Sequence, residues 1–382
     1  MLNQNSLIGF GNAATALRYK NSPHYVATYD YGQPISIVPG TDNLPMASYN
    51  TGRMAVTDVY GNVKFSGTFS LTGGQQRCAT DASGNLYIST ASTVTKINSD
   101  GTLAWTITTT VDSSGSIAVD ASGNVYVSGQ NPGGGSSPVD DGHQVSKYNA
   151  SGTWQWTKGA NGYEGNGTHW MRITSGGNIA FATNDYYTQY VTIINPSGVV
   201  VGGAAIGNQY GNIAGLACDS SGNTFASTMM YADIKGTIAK ISSVGAVVWQ
   251  IKYVGNYYGG VMCCDGSGNL YTLEYNTIIK YNSSGAITAT LGFSGMNVMA
   301  LHWQNNRLFM LGYGIIAIPD SLSVSGKYGP VTFSTGPIVT ISTPSIWGGG
   351  GVVMNNVSNT VSAGSATFTS GFVPSITTAE IA

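Results

Sequence analysis

A five-residue turn, Asp-x-Ser-Gly-Asn, recurs along this chain with its aspartate at Asp81, Asp120, Asp219 and Asp265 and its glycine at Gly84, Gly123, Gly222 and Gly268. An apolar or aromatic strand follows each copy, such as Leu86-Tyr87-Ile88 or Val125-Tyr126-Val127. A second signature comes after a variable gap: Lys96 to Gly101 leading to Trp105, Lys147 to Gly152 leading to Trp156, Lys240 to Gly245 leading to Trp249, and Lys280 to Gly285. Two hairpins per unit mean four strands per unit. From Gly84 to Gly123 is 39 residues and from Gly222 to Gly268 is 46, while the 99 residues from Gly123 to Gly222 leave room for one degenerate copy, supplied by Ser175-Gly176-Gly177-Asn178. A repeat of roughly 40–50 residues with four strands is the signature of a β-propeller blade. Helical solenoids are excluded, because no stretch sustains apolar residues at i, i+3, i+4 and i+7.

Clear units fall near 75–110, 114–158, 170–202, 213–254 and 259–292. On the carboxyl side, 299–310 reads as an inner hairpin turning on Asn305-Asn306, with 315–326 as its outer hairpin. On the amino side, 25–39 and 54–70 read together as another worn blade. The fold class expected is therefore all-β, a propeller of about seven four-stranded blades with six as the alternative. Its organisation reads as a 1–24 extension, a 25–328 propeller and a β-rich 329–382 assembly segment. That last segment carries one ionisable side chain, Glu380. Disordered tails are normally rich in charge, so its strand-like pieces are expected to pair with the propeller rim, with a second copy or with another protein.

The turn residues have a mechanism of their own. Asp accepts from the backbone two residues on, and Gly supplies the left-handed conformation that closes a short hairpin loop. A calcium reading would need further oxygen ligands, including a bidentate carboxylate downstream, and none follows.

Charged residues make up 8% of the chain, against about 25% in ordinary soluble domains, and Gly reaches 53 and Tyr 23. With a formal net charge of −2 and no basic stripe, a nucleic-acid partner is not expected. Membrane insertion is not expected either, since no apolar run approaches 18 residues. Cys78, Cys218, Cys263 and Cys264 all lie just before a first turn, on the strand that should be innermost, and read as small packing residues with neither disulfide nor metal spacing. The start of the chain lacks the basic and apolar regions of a secretory signal. A composition typical of proteins that work outside cells, without an export signal, suits a virion protein made in a host cytoplasm and released by lysis.

The units resemble short bacterial β-propeller repeats whose core reads Asp-x-x-Gly-Asn-(Val/Ile)-Tyr-Val, matched best at 119–127 and 79–88. They are also similar to NHL-type and quinoprotein-like repeats, the latter through the Gly-x-x-x-Trp endings at Trp105, Trp156 and Trp249. The resemblance implies a propeller and leaves function open, because propellers host enzymes, lectins and scaffolds alike. Quinoprotein chemistry would need carboxylates and calcium ligands clustered in the channel, and the sequence offers none, so no cofactor is expected. In low charge and Gly/Ser/Thr/Asn/Tyr bias the chain resembles structural and tail proteins of tailed bacteriophages.

Chemistry-bearing residues are sparse. None of His24, His143, His169 and His302 sits in a metal spacing, and the densest polar cluster, Asp140-Asp141-Gly142-His143, reads as a solvated loop tip. Glu164 and His169 lack the second nearby carboxylate that glycoside hydrolysis wants. No catalytic or metal residue is assigned, and the chain is expected not to be an enzyme. Binding has more support. The short turns share one face, and the variable loops of the other face carry Tyr163, His169, Trp170, Tyr186, Tyr187, Tyr210, Tyr231, Tyr257 and Tyr258 among Asn and Gly. That composition is typical of binding loops.

The function expected is a non-enzymatic structural or binding component of a phage virion. Its partners would be other virion proteins, or a second copy reached through the carboxyl segment, and a host-surface glycan on the loop face. Alternatives are a carbohydrate-binding lectin or adhesin and a polysaccharide-degrading enzyme. The turn reading makes one prediction directly: Gly123→Val should lower stability by about 1–2 kcal/mol, because a β-branched residue must then hold a left-handed backbone. Urea unfolding of variant and parent checks it, and equal midpoints would show the turn type to be misread.

Overall fold

In the computed structural model, the first-turn glycines all take positive φ, 79° at Gly84, 78° at Gly123, 80° at Gly222 and 77° at Gly268. The aspartate N–H bonds the carbonyl of the asparagine four residues on, and the glycine N–H bonds the aspartate carbonyl, at 3.1 and 3.0 Å in the first copy. Three-residue hairpin loops closed by a left-handed glycine are the result. The structure describes residues 77–336, excluding 91, 110, 112–114, 131–142, 161–169, 185–187, 208–210, 231–235, 254–259, 312–313 and 329–330, together with the strands 24–28, 43–47, 53–58, 63–69, 341–342, 354–357 and 368–370.

Among the described residues there are seven antiparallel sheets and no helix. Their innermost strands are Asn43–Ala47, Arg77–Thr80, Ile117–Val119, Met171–Ile173, Gly211–Cys218, Met262–Cys264 and Ala300–Gln304, which define blades 1 to 7 in chain order. From blade 1 to blade 7 each innermost strand neighbours the next. Apolar clusters lie between blades rather than inside them. Tyr87, Val94 and Ile107 of blade 2 pack with Ile117, Val125 and Tyr148 of blade 3, and similar clusters join blades 3 and 4, 4 and 5, 5 and 6, and 6 and 7. Blade-on-blade burial is therefore the main hydrophobic term.

Both ends of the ring differ from the sequence expectation. Segments 25–39 and 54–70 do not make one blade. The strand His24–Thr28 pairs with Gly314–Pro319 and becomes the outermost strand of blade 7. Blade 1 is built from Asn43–Ala47, Arg53–Asp58 and Val63–Phe69, and its fourth strand is Phe368–Ser370 from the carboxyl end. Nor is 315–326 an outer hairpin, because Gly314–Pro319 finds its partner at the other end of the chain. The inner hairpin of blade 7 turns on Asn305 and Asn306, both left-handed at φ 52° and 59°.

The carboxyl segment runs back around the rim against chain order. Val331–Thr335 pairs with the outer strand Ile287–Ser294 of blade 6 and with Gly326–Tyr328. Ile341–Ser342 then pairs with blade 5, Met354–Val357 with blade 3 and Phe368–Ser370 with blade 1. Of the three partners the sequence left open for these pieces, the four strands take the propeller's own rim. In Val331–Thr335 the alternation is plain: Val331 and Phe333 are buried in the cluster between blades 6 and 7, and Thr332 and Ser334 are exposed. Pairing of this kind covers sheet edges that would otherwise offer unpaired donors and acceptors to other chains.

Truncation after Ala366 removes the strand that completes blade 1. The melting temperature should fall by about 2–8 °C, in line with a loss of a few kcal/mol in a domain of this size, and light scattering should show concentration-dependent association through the freed edge. An unchanged melting temperature in a monodisperse product would show that blade 1 does not need Phe368–Ser370.

Candidate functional site

At the turn face, a set of side chains recurs in register. The Asp81 carboxylate accepts from the Ser83 and Asn85 N–H groups with Oδ1, both at 3.0 Å, and from Asn85 Nδ2 and the Tyr87 hydroxyl with Oδ2, at 2.8 and 2.9 Å. Asp120 repeats this with Tyr126 and Asp265 with Tyr271. Blade 5 has Phe225 in place of the tyrosine, and there Lys240 Nζ pairs with Asp219 Oδ2 at 3.4 Å. Burial together with the adjacent carboxylate pushes the Tyr87, Tyr126 and Tyr271 hydroxyls far above the ordinary phenol range, so they act as permanent donors.

Lysine and tryptophan of the second hairpin complete the set and carry it to the next blade. Lys96, Lys147, Lys240 and Lys280 stand 5.1–5.5 Å from the ring centroids of Tyr87, Tyr126, Phe225 and Tyr271. Trp105, Trp156 and Trp249 pack against the same aromatic rings with centroids 5.8–6.1 Å apart. Each indole N–H donates to a carbonyl in the second-hairpin turn of the following blade: Trp105 to Ala150 at 3.1 Å, Trp156 to Pro196 at 3.2 Å and Trp249 to Ser283 at 3.0 Å. Those turns hold Gly152, Gly198 and Gly285 at positive φ, and a Cβ on Gly152 or Gly285 would sit 3.2 or 3.1 Å from the incoming indole ring. The glycine thus serves two ends, left-handed backbone and room for a neighbour's tryptophan.

Blade 4 keeps the two left-handed turn glycines, Gly177 and Gly198, but replaces all four side chains of the set. Thr174 stands for the aspartate, Ala180 for the tyrosine, Ile193 for the lysine and Gly202 for the tryptophan. With no indole to fill the gap, the blade 5 turn moves onto the blade 4 backbone: a Cβ on Gly202 would lie 2.0 Å from the Val244 carbonyl oxygen.

At the opposite ends of these strands lie the loops that carry the sequence-derived contact residues. Tyr163, His169, Tyr186, Tyr187, Tyr210, Tyr231, Tyr257 and Tyr258 lie outside the described residues. Trp170 is described. It immediately precedes the innermost strand of blade 4, is half-buried against the cluster between blades 4 and 5, and lies under the Arg172 guanidinium, whose carbon is 5.4 Å from the ring centroid. The sequence reading passed over Arg172. Its signal lay in the repeat register, where the equivalent positions hold Ala79, Ala118, Ala217 and Cys263.

His143 corrects an expectation. Instead of capping a solvated loop tip it begins the strand His143–Tyr148, is buried, and meets Phe181 of blade 4 edge-on at 6.5 Å. His302 of blade 7 is also buried, with Nε2 3.1 Å from Gln304 Oε1, and burial lowers its pKa to about 4. All four cysteines are free, and none of the described His, Cys, Asp and Glu side chains group as a metal site. Burial raises the thiol pKa to about 12 at Cys78 and about 11 at Cys218, which keeps both protonated at neutral pH and unreactive. Cys263 packs toward the cluster between blades 6 and 7 and Cys264 toward that between blades 5 and 6, as adjacent strand residues must.

No protein-family profile matches the sequence, and no curated protein sequence matches it. Among solved structures, the chain is similar to the WD40 domain of coronin from Toxoplasma gondii, at 12% identity and a TM-score of 0.53 over 83% of this chain and 87% of that one. It is also similar to the Dos1 propeller, at 9% identity and a TM-score of 0.52 over 76% of this chain and 82% of that one. At such identities the likeness concerns the fold alone: the chain is a β-propeller.

Three substitutions test the packing and the titration. Trp249→Ala should cost about 2–4 kcal/mol through lost ring burial and a carbonyl left without its donor, and Gly202→Ala about 1–3 kcal/mol through the clash with Val244. Chemical denaturation measures both, and a Gly202→Ala change without effect would mean that the blade 4–5 contact is looser than described. For His302, the depressed folded pKa means a neutral imidazole in both states above about pH 6.5 and proton uptake by the unfolded chain alone below it. Its contribution is therefore present above pH 6.5 and lost as pH falls toward 4. His302→Gln should flatten the stability profile across that window by on the order of 2–3 kcal/mol relative to the parent, measured as urea midpoints at pH 7, 5 and 4.

Proposed function

We propose that this chain is a non-enzymatic structural and binding protein of a bacteriophage virion, a tail or decoration component in which the propeller is a rigid platform. The observation that carries this reading is a division of roles between the two faces. On the turn face the recurring aspartates organise their own turns while lysines and tryptophans bond the next blade, and the loops rich in Tyr, Asn and Gly emerge at the other strand ends. Rigid aromatic contacts with adaptable amides suit a recognition surface. The 8% charged composition, with Gly 53 and Tyr 23, favours a protein that works in a permanent assembly outside the cell. Other virion proteins, or further copies of this chain, are then its neighbours, with a host-surface glycan as the target of the loop face.

A glycan-binding lectin or adhesin is the second reading, favoured by Trp170, an aromatic ring at the loop-side end of an innermost strand. Mass spectrometry of gradient-purified phage particles that encode the chain separates the two. Peptides at structural stoichiometry are expected. Absence from particles, with abundant protein in the lysate and binding on a glycan array, would replace the virion reading with the lectin one.

A further inference from the structure

Trp170 and Arg172 are two residues apart on the blade 4 chain as it enters its innermost strand, so they share one face of it. That face looks toward blade 5, because Met171 and Ile173 pack the other way, into the cluster with blade 3. The guanidinium lies over the indole and donates through Nη1 to the Met171 carbonyl at 2.9 Å. One of its five donors is thereby used. The indole Nε1 is buried without an acceptor.

Charge around the pair is not balanced from within. Desolvation is the largest influence on Arg172 and lowers its pKa, and Arg77 lowers it further. Arg77 heads the innermost strand of blade 2, so this influence on Arg172 comes from another blade. Cys218 is the other ionisable neighbour, and burial keeps it a neutral thiol. Asp219 beyond it is taken up by its own turn and by Lys240. Among the described residues, a part-buried cation without a counter-charge beside an indole N–H without an acceptor costs free energy on both counts unless a third group completes the set. Blade 4 alone has this pair: Ala or Cys occupies the arginine position in the four clear repeats.

We infer that the inner ring of this propeller binds a small oxyanion between the Arg172 guanidinium and the Trp170 indole N–H, either a free inorganic anion or the carboxylate of an acidic sugar. A carboxylate or phosphate oxygen accepts from the remaining guanidinium donors and from Nε1 together, and its negative charge offsets that of Arg172. This goes beyond the virion reading, and its failure would leave that reading untouched.

The full-length protein is titrated by calorimetry, and by thermal melting, with inorganic phosphate, acetate, glucuronate and, as the neutral control, glucose. Saturable binding of at least one anion and none of glucose is expected, with Arg172→Met weakening it by about tenfold or more and Trp170→Phe by about three- to tenfold, the range of one charge-assisted and one ordinary hydrogen bond. Glucuronate binding well above acetate identifies a sugar-borne carboxylate, and phosphate binding above both identifies a free anion. Near-ultraviolet circular dichroism establishes that the variants fold, which Arg172→Met should, since an apolar side chain of similar length replaces an unpaired charge. No saturable anion binding by the parent protein would overturn the site. Binding retained unchanged in both folded variants would place the anion elsewhere and overturn it equally.

Discussion

Three junctions between blades, 2–3, 3–4 and 5–6, depend on an indole laid against a glycine turn. Trp105, Trp156 and Trp249 each reach out of their own blade, stack on the turn of the next and donate to its carbonyl. The receiving glycines have no side chain to obstruct them and a backbone conformation that few other residues hold. Behind the indole stand the lysine and the aromatic ring of the same blade, and behind these the aspartate that organises the first turn. Turn geometry, blade interior and blade-to-blade spacing are thus one connected set. A change in any member is felt by its neighbours, in the way buried polar networks are more than the sum of their pairs.

Blade 4 shows the coupling by its absence. Aspartate, tyrosine, lysine and tryptophan are all replaced together, and two backbones meet where the indole would be. Losing the tryptophan alone would leave a void, so Gly202 and the close approach of Val244 are one solution to a single packing problem. The same blade has exchanged a small inner-ring residue for Arg172. Local rules broken in concert, with an unpaired charge gained, are the pattern expected where a repeat has been turned to another use.

Ring closure relies on a different interaction, the main-chain hydrogen bond. Blades 1 and 7 each have three strands of their own, and each is completed by a strand from the far end of the chain. Three further pieces of the carboxyl segment extend blades 6, 5 and 3. Almost no charge is needed along a segment whose strands pair with a rim, which accounts for the single Glu380 after residue 328 without calling on disorder.

The sequence by itself determined what is local. The Asp-x-Ser-Gly-Asn and Ser-Gly turns are read from adjacent residues, because side-chain capping and left-handed glycine act within five positions, and their spacing set the period and the blade type, with the count left between six and seven. Asn305-Asn306 was legible for the same reason. Tertiary structure alone decided which strands complete blades 1 and 7, since a strand edge offers the same donors and acceptors whatever its sequence, and nothing in 24–28 or 368–370 names a partner. It also decided that His143 is buried against Phe181, a contact between blades that no local signal announces. The Trp170–Arg172 pair lay between the two cases. Its register break was visible in the repeats, but that its ionisable neighbours, Cys218 and Arg77, come from blades 5 and 2 and include no carboxylate was decided by the tertiary structure.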